Sequence, residues 1–423
     1  FSTDYLTYTS EIEEFMSANN KSKEVVKTFL KNNNFSEIEK NKIIQISNMM
    51  LSKRLKSYPH FNKFLSALIS INSSQKRDVL LLQWLNIVEQ TINESTISKL
   101  LRLFSFTTDL VSNNTLRSSK SAAWMVSNLD FRFEFEFIEP VVIFDTPFNL
   151  SCSTDNGSYT IFGTTGKYYF ISNKWKGNGG QLNWEIHAKS KDSVYAEINS
   201  YMIDCRKSQF IADSSIFYNK SLFSQPILGQ VVNKLGKGKE AERYPKFISY
   251  SKNVELKEIL PNIDYRGGYK LQGSEFVADG GKYADAKIVF KKAGKDIFIA
   301  NARRFSIGDD RIVAQAAGVK IFFDNDSIFH ANLQFTYIDS ERKLRLYRKV
   351  NGPSGAPMLN TYHNLTMDFE LLEWKIDSDI ITFGSLPTSA QSSVEFESVD
   401  RYLQSKYESI QGIDAIHPLF LVR

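Results

Sequence analysis

The feature that most restricts this chain is where its turn-forming residues are missing. None of the 21 glycines precedes Gly157, and Pro59 is the only proline before Pro140. Glycine and proline punctuate turns, so their absence over so long a stretch predicts a helical block, and their later density predicts a second, strand-built region. Apolar spacing agrees. Ile12, Phe15 and Met16 share one helical face, as do Val25, Val26, Phe29 and Leu30, and then Ile43, Ile46, Met50 and Leu51. Ser10-x-x-Glu13 and Ser36-x-x-Glu39 both fit the reciprocal capping box. Pro59 suits a first helical turn ahead of Phe61, Phe64, Leu65 and Leu68. Longer helices are expected over residues 79–92 and 97–110.

At Leu129 the period changes from helical to alternating. Phe131, Phe133, Phe135 and Phe137 interleave with Arg132, Glu134 and Glu136, which predicts a strand with one buried phenylalanine face and one charged face. Short alternating runs follow at 159–162, 168–171, 182–186, 194–203 and 210–218, separated by polar or glycine turns. No crossover helices lie between them, so the strands are expected to be antiparallel. The segment Asp213-Ser214-Ser215-Ile216-Phe217-Tyr218 is echoed by Asp326-Ser327-Ile328-Phe329-His330, a weak internal repeat. The expected fold class is segregated α+β: a helical array, then an extended antiparallel β region of stacked sheets, solenoid-like or sandwich. Its expected divisions are a helical domain at 1–125, a β-rich domain at 129–245 and a second β-rich segment at 246–400. Residues 401–423 read as a short helix and an apolar tail opening a further domain.

Several function classes lose support at this level. A formal charge of +5, from 52 Lys and Arg against 47 Asp and Glu that are interspersed, gives no basic face of the kind nucleic acid requires. No run of about 18 apolar residues exists to cross a membrane as a helix. The histidines at 60, 187, 330, 363 and 417 make no HxxxH or HExxH pair, and no GxSxG elbow, phosphate loop or dinucleotide fingerprint is present. No cofactor and no resident metal are therefore expected, and Asp324, Asp326 and Ser327 read as a turn with side-chain-to-backbone hydrogen bonds. Cys152 and Cys205 lack CxxC spacing; a single bridge and two buried thiols are both open.

Two sets of residues carry the remaining chemistry. Asp368 and Glu370, with Glu373 nearby, are candidates for a carboxylate cleft and equally for a solvated strand face. Trp175 and Trp184, beside Tyr168 and Tyr169, are the candidate glycan-binding aromatics; core packing is the competing role.

The succession GKYYFISNKWKGNGGQLNWE, VYAEINSYMIDCRKSQFIADSSIFYN, DNDSIFHANLQFTY and NTYHNLTMDFELLEW resembles the N-terminal part of large uncharacterised exported proteins of Bacteroidota. Over residues 155–345 the strands are also remotely similar to the OstA-like β-repeats that carry lipopolysaccharide. The resemblance implies an exported protein, periplasmic or associated with the outer membrane, with other envelope proteins as partners. The expected function is a non-enzymatic scaffold acting through the helical surface and sheet edges. A carbohydrate-binding or carbohydrate-active β-protein is the alternative, and a lipid-carrying β-sheet a further one.

Overall fold

The computed structural model describes residues 1–136, 139–185, 190–235, 245–273, 275–281, 284–348, 355–385 and 394–400. The expected C-terminal helix and apolar tail lie outside them. Six α-helices come first and antiparallel strands follow. The described chain divides into two compact units, one of Phe1–Ile248 with Gln272–Ser274 and one of the remainder.

The first unit opens with α1 (Tyr5–Ser17), α2 (Lys23–Lys31), α3 (Glu37–Ser52), α4 (Asn62–Asn72), α5 (Arg77–Glu94) and α6 (Ile97–Asn113). Ser36 and Glu39 form the expected capping box, with Ser36 N–H donating to Glu39 Oε2 at 2.7 Å. Glu39 is buried, and Arg77 Nη2 reaches the same oxygen at 2.8 Å, so the cap also ties α3 to α5. The box at Ser10 does not form. Asp4 caps α1 instead, accepting from Thr7 N–H at 2.9 Å, which leaves Ser10 inside the helix. Pro59 sits in the single turn Ser57–Phe61 before α4. Trp84 stacks on Phe64 at 5.7 Å and donates its indole N–H to Thr107 at 2.9 Å, which joins α4, α5 and α6 in one core. Short helices of this kind are stable through such packing and not alone.

The helices cover strands of the same unit. Phe106 on α6 stacks against Phe170 at 4.6 Å, and Arg102 donates to the Ile171 carbonyl at 2.6 Å. α5 packs on the strand Arg132–Glu136. That strand is shorter and less uniformly buried than its alternation suggests: Phe131 and Phe133 are buried, Phe135 is half-buried opposite Pro140, and Phe137 lies outside the described residues. Arg132 pairs with Asp145 and Glu134 on the opposite face.

In the second unit the strands Ala286–Lys292, Lys295–Ala302, Arg311–Phe323, Asp326–Ile338, Lys343–Tyr347, Leu371–Lys375 and Ile381–Gly384 pair antiparallel in succession. Met358–Asn360 and Leu365–Asp368 branch from the start of Asp326–Ile338. The two repeat-like segments occupy unlike positions. Asp326 opens a strand just after a hairpin turn, whereas Asp213 sits at an irregularity in the middle of Gln209–Asn219, beside Ser214 with a positive φ of 54°.

A buried polar hub braces this unit. Arg348 donates from Nε to Phe369 O at 2.7 Å and from Nη1 to Gly355 O at 2.7 Å and Ala356 O at 3.2 Å, and Nη2 pairs with Asp368. His330 joins it: Asn332 N–H donates to Nδ1 at 2.9 Å, and Nε2 faces Ala356 O at 2.8 Å. With Nδ1 accepting, Nε2 carries the proton and both ring nitrogens are satisfied in the neutral ring. Burial holds the His330 pKa below its ordinary value; the Ala356 bond opposes this and the Arg348 charge adds to it. The unfolded chain therefore binds the proton first as pH falls. The His330 contribution is complete above the unfolded value of about 6.5 and is lost as pH drops toward the lower folded value. Urea midpoints measured from pH 8 to pH 5 should decline across that window, and His330→Gln should flatten the decline. An equal decline in the variant would assign it to other groups, such as His60, which burial shifts the same way.

Candidate functional site

The structure places three of the four candidate aromatics in the core. Trp175 is fully buried, edge-on to Phe148 at 5.5 Å and to Phe144 at 5.9 Å, with its indole N–H toward Tyr201 Oη at 3.4 Å. Trp184 is equally buried, edge-on to Phe217 at 5.3 Å and donating to Pro245 O at 3.1 Å. Tyr168 lies against Phe106 at 5.5 Å, and burial pushes its hydroxyl pKa well up. A ring enclosed on both faces cannot stack on a sugar, so packing is the role of these three. Tyr169, one residue on and on the other face of the strand, is partly exposed and donates to Glu136 Oε2 at 3.0 Å. It borders a shallow hollow with Lys167 and Lys176, floored by Gly166 and Gly177, but as a lone ring.

The carboxylates do not converge on a cleft. Asp368 is held by Arg348, and Glu373 by Lys343 and Arg345, each at 2.8 Å. Burial opposes ionisation of Glu373, yet these two cations keep its pKa below the ordinary carboxylate value. Asp326 accepts from the Thr361 hydroxyl at 3.0 Å, an ordinary turn contact. Cys152 and Cys205 are both buried free thiols, so the bridge does not form; burial pushes Cys152 up to about 12, far from a reactive thiolate.

A different set of aromatics forms an open site in the second unit. Three turns meet at one end of the strand ladder: Ala293-Gly294 before Lys295–Ala302, Asp324-Asn325 between Arg311–Phe323 and Asp326–Ile338, and residues 361–364 after Met358–Asn360. Register requires this meeting. Phe298 opposes Ile321, Phe323 opposes Asp326, and Ile328 opposes Asn360, so the three tips lie side by side. Ala293, Gly294 and Asp324 have positive φ, as two-residue hairpin connections demand, and Asn364 takes the same conformation at the end of the four-residue turn.

Between the tips lies a cleft of about 560 Å³, within the range of small-molecule sites. Its walls are Phe322, Phe323, Tyr362 and His363. Tyr362 is 58% exposed, with its ring 6.2 Å from Phe323 and edge-on to His363 at 4.7 Å. Lys295, Asp296 and Asp324 bring charged hydrogen-bonding groups to the same mouth. Flat apolar rings open to solvent and ringed by such groups suit a ligand with an apolar face and a hydroxylated edge. The local clue in the sequence was aromatic residues beside turn formers, in Phe322-Phe323-Asp324-Asn325 and Tyr362-His363-Asn364.

No protein-family model, no curated protein and no solved structure matches the chain.

Proposed function

We propose that this is a carbohydrate-binding β-protein whose site is the cleft between the three hairpin tips. The supporting observation is the open face of Tyr362 beside Phe323, with Asp296 and Asp324 in reach of the same space. A pyranose ring stacks its C–H face on an aromatic ring while carboxylates accept from its hydroxyls; the combination fixes orientation as well as affinity. In this reading the strand array of the second unit is a stacked, solenoid-like support that holds the turns in register. An exported, envelope-associated location belongs to the same proposal and is carried by the resemblance of the sequence.

Calorimetric titration with cellohexaose, laminarihexaose, chitohexaose and polygalacturonate tests it. At least one glycan should bind, and Tyr362→Ala should weaken it tenfold or more with little change in melting temperature, because most of that ring is already in water. Failure of every glycan, or undiminished binding to the variant, sinks the reading.

The scaffold reading has one observation in its favour. Met202 and Ile211 oppose each other across neighbouring strands of the first unit, and both are exposed. Paired apolar side chains on an outer sheet face are a place for another protein to dock.

A further inference from the structure

The first unit contains a second cavity, of about 520 Å³, between α6 and the strands it covers. Three cations line it: Lys63 from α4, Arg102 from α6, and Arg117 from the strand Thr115–Ser118. One carboxylate, Asp109, stands with them. Among the described residues none of the three cations is in a salt bridge; Lys63 donates to Ser105 Oγ at 2.8 Å and Arg102 to a backbone carbonyl. Arg117 Nε is buried and has no hydrogen-bond partner. A buried donor on a permanently charged group is costly unless something accepts from it. Tyr168, whose hydroxyl feels both Arg102 and Arg117, closes the back of the cavity, and Phe106 and Phe170 supply an apolar wall.

We propose that this cavity binds a small organic anion, with its oxyanion head on Arg117 and Arg102 and its apolar body against Phe106 and Phe170. The guanidinium fork matches a planar or tetrahedral oxyanion. The volume, of small-molecule size, and the mixed lining favour a small molecule over a polymer. This site is separate in residues and in chemistry from the glycan cleft, and neither proposal depends on the other.

Calorimetry on the full chain with phenyl phosphate and benzoate, and with benzyl alcohol as the uncharged control, provides the test. The anions should bind and the alcohol should not. Arg117→Gln should weaken binding about tenfold or more, the equivalent of one charge-assisted hydrogen bond. Asp109→Asn, which removes the negative group, should tighten binding, and a misfolded protein does not bind more tightly. The proposal is overturned if neither anion binds, if benzyl alcohol binds as well as they do, or if Arg117→Gln leaves the affinity unchanged in a variant that melts normally. It is overturned equally if Asp109→Asn weakens binding. Which anion binds more tightly separates a phosphate from a carboxylate ligand.

Discussion

Replacing Arg348 with alanine should destabilise the second unit by about 3–5 kcal/mol. The size follows from what is left behind. Asp368 is half-exposed and stays solvated when its partner goes, so little of the loss comes from that pair. The carbonyls of Phe369 and Gly355 are the larger concern, because the arginine that satisfies them is itself completely buried, whereas Ala356 O keeps its His330 donor. Each buried acceptor left without a donor costs about 1–3 kcal/mol, and entry of water offsets part of that sum. Arg345→Ala provides the contrast: its pairing with Glu373 lies nearer the surface and should be worth about 1 kcal/mol or less. Urea denaturation of the two variants decides the matter. Equal losses would mean that the carbonyl cage around Arg348 is not a stabilising element.

The second large effect is expected at Trp175. Truncation to alanine should cost about 3–5 kcal/mol, since the indole fills the space bounded by Phe144, Phe148 and Tyr201. The two glycines that flank it should resist enlargement. A Cβ on Gly177 would stand 2.2 Å from Tyr201 Cζ, and one on Gly166, which has a φ of +153°, would stand 2.2 Å from the Lys176 carbonyl oxygen. Overpacking of this sort typically costs about 1–3 kcal/mol, and the conformation of Gly166 adds strain to its own substitution. Thermal melts of Trp175→Ala and Gly177→Ala should both show clear losses. A Trp175→Ala protein with unchanged stability would mean that the indole is not part of the packing that holds this unit together.

Much of the fold was legible because its determinants are local. Missing glycine and proline marked the helices, and Ser36 with Glu39 marked a real helix start. The matching motif at Ser10 misled because Asp4, six residues earlier, makes the better-placed cap. For Trp175 the necessary signal was present in its neighbours: Lys174 and Lys176 both point outward, so strand alternation puts the residue between them inside. The aromatic cleft is a different matter. Its walls come from residues near 296, 323 and 362, and only the pairing of Lys295–Ala302, Arg311–Phe323, Asp326–Ile338 and Met358–Asn360 brings them together. No local pattern encodes which hairpin tips will be neighbours.

That construction separates the support from the recognition surface. The cleft is built from three turns and the strand ends beside them, so the turn residues can be lengthened or rewritten while the hydrogen-bonded ladder beneath them is left in place. Three short and independently mutable segments then act as a combinatorial surface. A related chain with the same ladder and different turn residues at 293–294, 324–325 and 361–364 would present a different cleft mouth, and selection from a library confined to those turns would change ligand preference while the scaffold's stability stayed nearly constant.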